Sequence, residues 1–140
     1  MWEMNGSVGG ITAVFRRRLV PVVCILIITV LLAACGGGSV DPAELRGGET
    51  RRTLSPAYFT GKVAKAYRIA REIPDVIDSL YCYCECKKNF GHKSLLTCYV
   101  DTHARYCKVC IDEALMAYSL HKKGKDIVSI RRAVDRSFSH

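Results

Sequence analysis

Eight metal-binding or disulfide-forming side chains within 29 residues, Cys82 to Cys110, constrain this chain more than any other feature of its sequence. The cysteines among them fall into three groups: an alternating triplet, a single cysteine and a C-x-x-C pair, with two histidines between the groups. Thiolate and imidazole are common ligands of zinc, and thiols of exported proteins also form disulfides. Any fold of the chain is therefore expected to bring these groups together. The candidate metal ligands are Cys82, Cys84, Cys86, Cys98, Cys107, Cys110, His92 and His103.

The spacing of the cysteines predicts how they meet. The triplet from Cys82 to Cys86 takes every second position, and an extended chain with this spacing places all three sulfurs on one face. Cys107 and Cys110 stand at i and i+3 where a helix is predicted to begin, so both sulfurs share one side of it. His103 joins that side if the helix begins early enough. A helix N-terminus also favours thiolate, which predicts a lowered pKa for the C-x-x-C cysteines.

The sequence around the cysteines has helical periodicity. Apolar side chains recur at helical spacing from Phe59 to Ala70, and Pro74 ends that helix while suiting the first turn of the next. Ser94 and Asp126 are predicted to cap later helices, and the last helix is predicted to bury Ile127, Ile130, Val134 and Phe138. A further helix is marked by Ile111, Ala114, Leu115 and Tyr118. We therefore predict an all-α fold of four to five short helices with an extended Cys-rich segment, stapled by metal or disulfides because so small a core is marginal.

The first 35 residues resemble the export signal of a lipoprotein. Three arginines precede fourteen uncharged residues, Leu19–Leu32, a run shorter than the ~20 residues that cross a bilayer. The run Leu32-Ala33-Ala34-Cys35 resembles the lipobox of bacterial lipoproteins, which implies cleavage after Ala34 and lipidation of Cys35, with palmitate among the acyl chains. An uncleaved signal anchor and a plain signal peptide with an incidental cysteine are the alternatives.

Three regions follow from these signals: a signal peptide over residues 1–34, a lipidated cysteine with a flexible tether over 35–55, and a Cys-rich domain over 56–140. The tether prediction rests on the glycines of this segment and on its lack of apolar periodicity. Without residues 1–34, which hold three arginines and one glutamate, the net charge falls from +8 to +6. This charge favours anionic lipid headgroups, and in the absence of a nucleic-acid-binding motif we expect no nucleic acid partner.

The domain resembles the bacterial PCYCGC-motif proteins, many of which are lipoproteins. The resemblance is carried by Cys82-Tyr83-Cys84-Glu85-Cys86, by the segment Gly91–Cys98 and by Cys107-Lys108-Val109-Cys110. Tyr81 stands where the motif has proline, and Glu85 stands where it has glycine, which argues against a tight glycine turn at that point. The family is largely uncharacterised. What the resemblance implies is an envelope location, the grouping of the cysteines and, from the thiol pattern, metal binding.

Three interpretations of the six domain thiols stay open. In the first, they bind zinc or Cu(I); with two histidines they exceed one tetrahedral site, so two zinc sites or a multinuclear Cu(I) site are expected. In the second, each triplet cysteine forms a disulfide with one of the other three, since bridges within the triplet are strained. The third is thiol redox chemistry, for which the βαβ context of thioredoxin-like proteins is missing. A c-type haem is excluded because Ile111 follows the C-x-x-C pair.

The favoured interpretation is a lipid-anchored envelope protein whose cysteine cluster binds copper or zinc as a carrier or buffer. The sequence shows no Ser-His-Asp set, paired-carboxylate signature or phosphate loop, so we expect no enzymatic activity. The expected partner is the membrane, bound through the lipid on Cys35. A metalloprotein of the envelope is a candidate second partner.

Overall fold

Helices carry the fold of residues 40–139, the part of the chain that this computed structural model describes; the predicted signal peptide and Cys35 lie outside the described residues. The five α-helices are α1 (Gly61–Glu72), α2 (Pro74–Asp78), α3 (Cys86–Phe90), α4 (Lys108–Lys122) and α5 (Ile127–Phe138). The four 3-10 helices are Pro42–Leu45, Pro56–Tyr58, Leu95–Tyr99 and His103–Tyr106. Residues 40–139 contain no strand, and the all-α prediction is confirmed. None of the described helices has the length and apolar character needed to cross a bilayer.

The core lies where α4 packs against both α1 and α5. Helix α5 buries Ile130 and Val134 and half-buries Ile127 and Phe138. Helix α1 buries Ala66, Tyr67, Ile69 and Ala70. These are the apolar faces that helical spacing predicts for the two helices, and their burial contributes to the stability of the fold.

Local capping signals predict the start of α5 but not the role of Ser94. Asp126 accepts a hydrogen bond from the Ser129 N–H at 2.9 Å and caps α5 as predicted. Ser94 does precede the 3-10 helix Leu95–Tyr99, but it makes no capping hydrogen bond. Its hydroxyl donates instead to Asp78 Oδ1 at 2.7 Å. The predicted Ser94 cap is therefore wrong, because a buried carboxylate distant in sequence takes the hydroxyl.

The buried carboxylate of Asp78 fixes the segment before α1. Its two oxygens accept hydrogen bonds from the N–H groups of Gly48 and Glu49, at 3.0 and 3.1 Å. The Arg46 guanidinium donates to the same carboxylate at 3.2 Å. Glu49 is buried as well; the Arg51 guanidinium beside it holds the pKa of Glu49 at about 2. The flexible-tether prediction is therefore wrong for residues 46–51, whose sequence-specific contacts bind them to the domain.

Gly47 shows why a glycine in this segment does not mean flexibility. A Cβ atom at this position would lie 2.6 Å from both the Lys93 carbonyl oxygen and Ser94 Cβ. The Gly47 N–H donates to the Asp78 carbonyl at 2.9 Å. The absence of a side chain is thus required by a close approach of two backbones.

The cysteine triplet forms a turn, and the predicted extended conformation is wrong. Residues 83–85 turn, and α3 begins directly afterwards at Cys86. Glu85 has φ 63° and ψ 15°, in the left-handed region, and no other non-glycine residue of the described chain has a positive φ. A residue with a side chain adopts this conformation at a cost of about 1–2 kcal/mol. Glu85 in place of glycine predicts that there is no tight turn here, but the turn is present and brings the triplet sulfurs together.

We expect Glu85→Gly to raise the free energy of unfolding by about 1 kcal/mol, because glycine adopts the left-handed conformation without steric cost. Urea denaturation of the reduced, metal-free protein measures the change. Glu85→Ala is the matched control, since it removes the same carboxylate but keeps the Cβ, and we expect it to give no such gain. Equal stability of the two variants would contradict the strain at this turn.

Candidate metal centre

Four parts of the chain converge on one buried point: the triplet turn, two 3-10 helices and the start of α4. Cys98 lies on the first of these 3-10 helices and is fully buried. Its neighbour Tyr99 donates from its hydroxyl to the Cys110 carbonyl at 2.6 Å, which joins this 3-10 helix to α4. The Leu95 N–H donates to the Leu80 carbonyl at 2.9 Å, which joins it to the chain entering the triplet. Hydrogen bonds that involve no sulfur thus join the cysteine-bearing segments.

Cys82 lies at the centre of the sulfur cluster. Its Sγ is 3.1 Å from Cys84 Sγ, 3.2 Å from Cys98 Sγ and 3.6 Å from Cys110 Sγ. Cys84 Sγ extends the network, at 2.8 Å from Cys86 Sγ and 3.4 Å from Cys110 Sγ. Five of the six domain thiols therefore form one continuous set of contacts, and all of them except Cys84 are buried.

Each predicted histidine contacts a sulfur of this cluster. His92 Nδ1 lies 3.1 Å from Cys98 Sγ, and His103 Nε2 lies 2.9 Å from Cys86 Sγ. The two imidazole rings pack edge to face with their centroids 4.9 Å apart. The exposed ring of Phe90 packs against both of them. His92 is buried and has its pKa lowered by that burial, so the neutral imidazole that can bind a metal is favoured there.

The C-x-x-C pair begins α4 as predicted, but only Cys110 enters the centre. Cys107 is the N-cap residue, and its Sγ accepts a hydrogen bond from the Cys110 N–H at 3.4 Å. It is half-buried at the edge of the cluster. His103 lies on a separate 3-10 helix, His103–Tyr106, and contacts Cys86. His103 was expected to share the face of the C-x-x-C pair only if the helix began early enough, and this condition is not met because α4 begins at Lys108.

The donor set fits one or more thiolate-bound metal ions. Its ligand atoms form overlapping groups in which all members lie within 4.8 Å of one another. These groups include Cys82 with Cys84, Cys86 and Cys98; Cys84 with Cys107 and Cys110; and Cys86 with His92 and His103. A tetrahedral zinc ion with Zn–S bonds of about 2.3 Å separates its sulfur ligands by about 3.8 Å, so small outward shifts of the sulfurs suffice. Eight donors exceed the four of a single tetrahedral ion.

All six domain cysteines are free thiols in the structure. The shortest sulfur–sulfur distance is 2.8 Å, between Cys84 and Cys86, against about 2.05 Å for a disulfide bond. Cys82 approaches three sulfurs at once, whereas a disulfide joins only two. Complete pairing of the triplet would also need a bridge to Cys107, whose sulfur contacts a backbone N–H. A cluster of free thiols with these distances could hold a shared metal ion.

Among the clustered thiols, Cys82 is the one whose surroundings most favour the deprotonated form. Hydrogen bonds from the Cys110 and Cys98 thiols hold the pKa of Cys82 well below its usual range. The pKa of Cys110 is raised because its thiol donates to Cys82, so the lowered pKa predicted from the helix N-terminus is wrong at Cys110. Burial raises the pKa of Cys84 and of Cys86. The cluster therefore favours one negative charge at its centre, and further thiolates require a cation to balance them.

Glu113 is a site residue that the sequence interpretation missed. Its Oε1 accepts a hydrogen bond from the Tyr83 N–H at 3.0 Å, and its carboxylate lies within 4.8 Å of the Cys82 and Cys110 sulfurs. The side chain is fully buried, and this burial raises the pKa of Glu113 to about 8. One signal was available in the sequence. Glu113 follows Cys110 by three residues on α4, and this spacing places the two side chains on one face of a helix.

Residues 54–140 match the family described as "protein of unknown function with PCYCGC motif". The match covers more than half of the chain and includes every thiol and imidazole of the cluster. The chain belongs to the PCYCGC-motif family. Neither a curated protein nor a solved structure is significantly similar to it.

The PCYCGC motif corresponds to residues 81–86 of this member of the family, with Tyr81 and Glu85 in place of proline and glycine. Glu85 is the residue with the left-handed backbone, φ 63°. Glycine reaches this conformation without steric cost, so the glycine that names the motif suits the turn that gathers the three sulfurs. This family member keeps the turn with a strained glutamate.

Proposed function

We propose that this PCYCGC-motif protein is a lipid-anchored protein of the cell envelope that binds Cu(I) or zinc and serves as a metal carrier or buffer. The observation that carries the proposal is the convergence of six free thiols and two imidazoles into overlapping groups with ligand atoms within 4.8 Å. Soft thiolates select Cu(I) and zinc over the hard cations that oxygen ligands bind.

Storage or transfer of metal fits the donors better than catalysis by metal. A catalytic zinc keeps three protein ligands and one open position, whereas this cluster offers more sulfur and nitrogen donors than one ion can use. Three cysteines at the centre of the cluster, Cys82, Cys98 and Cys110, are buried. Three donors at the edge of the cluster are half-buried: Cys84, Cys107 and His103. Donors at an accessible edge favour ligand exchange with another metal-binding molecule. A metalloprotein of the envelope is the partner that this exchange implies.

Intact mass spectrometry of the full chain, purified in detergent without reductant, tests the metal proposal. We expect the native mass to include bound copper or zinc and the denatured, metal-free mass to match six reduced domain thiols. A denatured mass lower by six hydrogen atoms, as three disulfides require, with no metal in the native spectrum, would overturn the proposal and leave a disulfide-stapled scaffold. Chelation should also lower the thermal stability of the protein, because bound metal stabilises only the folded chain.

The envelope location rests on the lipobox resemblance at Leu32–Cys35. We expect Cys35→Ser to move the protein from the membrane fraction to the soluble fraction, because more than one acyl chain is needed for stable attachment and the serine cannot carry the thioether-linked lipid. Fractionation and immunoblotting measure this redistribution. Cys24→Ser is the matched control, since it removes a thiol from the segment expected to be cleaved, and it should leave the distribution unchanged. Full membrane retention of the Cys35→Ser variant would contradict lipidation.

A further inference from the structure

We propose that Glu113 is an oxygen ligand in a mixed sulfur–oxygen subsite with Cys82 and Cys110, and that this subsite selects a divalent ion, zinc, over Cu(I). The inference rests on the proposed metal-binding function. It adds which part of the cluster distinguishes the two ions.

The Glu113 carboxylate is held in one orientation. Tyr83 N–H donates to Oε1 at 3.0 Å, and Tyr83 is itself fixed by a 2.7 Å hydrogen bond from its hydroxyl to Asp135 Oδ1 on α5. A carboxylate with one oxygen fixed by a backbone N–H has its second oxygen in a defined place. Such a hydrogen bond to a ligand side chain is how proteins orient the residues that bind a metal. Cys82 and Cys110 lie within 4.8 Å of this carboxylate.

The second oxygen lacks a partner. Glu113 Oε2 is the one buried side-chain nitrogen or oxygen within residues 40–139 that makes no hydrogen bond. The buried carboxylate of Glu49 shows the contrast, since it accepts hydrogen bonds from both Arg51 and Thr97. Leaving a carboxylate oxygen buried and unpaired is unfavourable, and such an atom in a native fold requires an explanation, a bound ion among them. Because two metal-binding sulfurs are its neighbours, a metal cation is the explanation that fits.

The mixed donor set favours zinc for two reasons. Zinc accepts carboxylate oxygen as a ligand, at about 2.0–2.2 Å, as well as thiolate, whereas Cu(I) prefers sulfur. The negative charge of the carboxylate also attracts a divalent ion about twice as strongly as a monovalent one at the same distance. Cys84 is placed to supply a fourth ligand, since its Sγ lies 3.1 Å from Cys82 Sγ and 3.4 Å from Cys110 Sγ.

Competition titrations against a chromophoric chelator test the proposal. The full chain is kept in detergent, reduced and metal-free, and is titrated separately with zinc and with Cu(I). We expect Glu113→Gln to weaken zinc binding about 10- to 100-fold and to leave Cu(I) binding within about 3-fold of the wild type, since an amide is a poor ligand of similar size. Asp112→Asn is the matched control, because it removes the same charge one residue away on α4 from a side chain paired with Lys108. It should change neither affinity.

Two further measurements separate a ligand from a merely structural residue. Thermal unfolding of the metal-free Glu113→Gln variant should show a Tm equal to or above that of the wild type, while its stabilisation by zinc should shrink. With Co²⁺ as a probe, the sulfur charge-transfer band should keep its intensity while the d–d bands shift.

Unchanged zinc affinity, or equal losses for zinc and Cu(I), would overturn the role of Glu113 and leave the proposed function standing. A wild-type protein that binds neither ion would overturn both proposals.

Discussion

Replacing Cys82 with serine should weaken the binding of both zinc and Cu(I) by at least about 100-fold. Cys82 Sγ contacts three other sulfurs and belongs both to the group with Cys84, Cys86 and Cys98 and to the group with Cys110 and Glu113. Loss of a residue that only orients a ligand already costs about 10- to 100-fold in metal affinity, so loss of a ligand shared by two groups should cost more. Competition titration of the reduced protein with each ion measures the effect.

Cys107→Ser is the matched control for this variant. The Cys107 sulfur is half-buried at the edge of the cluster, where it contacts the Cys110 N–H. A serine hydroxyl can accept the same hydrogen bond, so we expect a loss of less than about 10-fold for either ion. A greater loss of metal affinity in Cys107→Ser than in Cys82→Ser would therefore contradict the central position of Cys82.

The sequence predicts the helices and the grouping of the cysteines and histidines well because both leave local signals. Helical spacing identifies the buried faces of α1 and α5, and Asp126 identifies the start of α5. The dense grouping of cysteines and histidines brings all eight candidate side chains into the one cluster. The turn at the cysteine triplet was not predicted because its local sequence signal is misleading. A glutamate at a left-handed position breaks the usual residue preference, and only the surrounding contacts hold it there.

Helix α4 shows why Glu113 was missed. Its buried face consists of Cys110, Glu113, Ala114 and Ala117, a mixture of small and polar residues without a strong apolar stripe. The periodicity in the sequence instead follows Ile111, Ala114, Leu115 and Tyr118, and of these only Ala114 is fully buried. A glutamate in such a pattern is usually a solvent-exposed residue. Its carboxylate contacts the triplet turn, which lies 30 residues earlier in the sequence, so its three-residue spacing from Cys110 is the one local signal of its position.

The segment around residues 46–51 was missed for the same long-range reason, and it carries the second large predicted effect. We expect Asp78→Ala to lower the free energy of unfolding by about 3–5 kcal/mol, because it removes the buried acceptor of an ionised hydrogen-bonded network. The two N–H groups of Gly48 and Glu49 and the Ser94 hydroxyl would lose their acceptor, and Arg46 would lose its buried counter-charge. Urea denaturation of the reduced, metal-free protein measures the loss.

Two controls separate this buried network from the exposed ion pair next to it. Asp75→Ala removes the other carboxylate that contacts the Arg46 guanidinium, at 2.7 Å, but its side chain is 66% exposed, so we expect a loss of at most about 1 kcal/mol. Asp78→Asn keeps one acceptor oxygen and should fall between the two. Limited proteolysis gives an independent readout: Asp78→Ala should expose cleavage sites at Arg46, Arg51 and Arg52, whereas Asp75→Ala should leave them as protected as in the wild type. Equal losses for Asp75→Ala and Asp78→Ala would mean that the segment is held by surface charge, and the buried carboxylate would lose the structural role assigned to it.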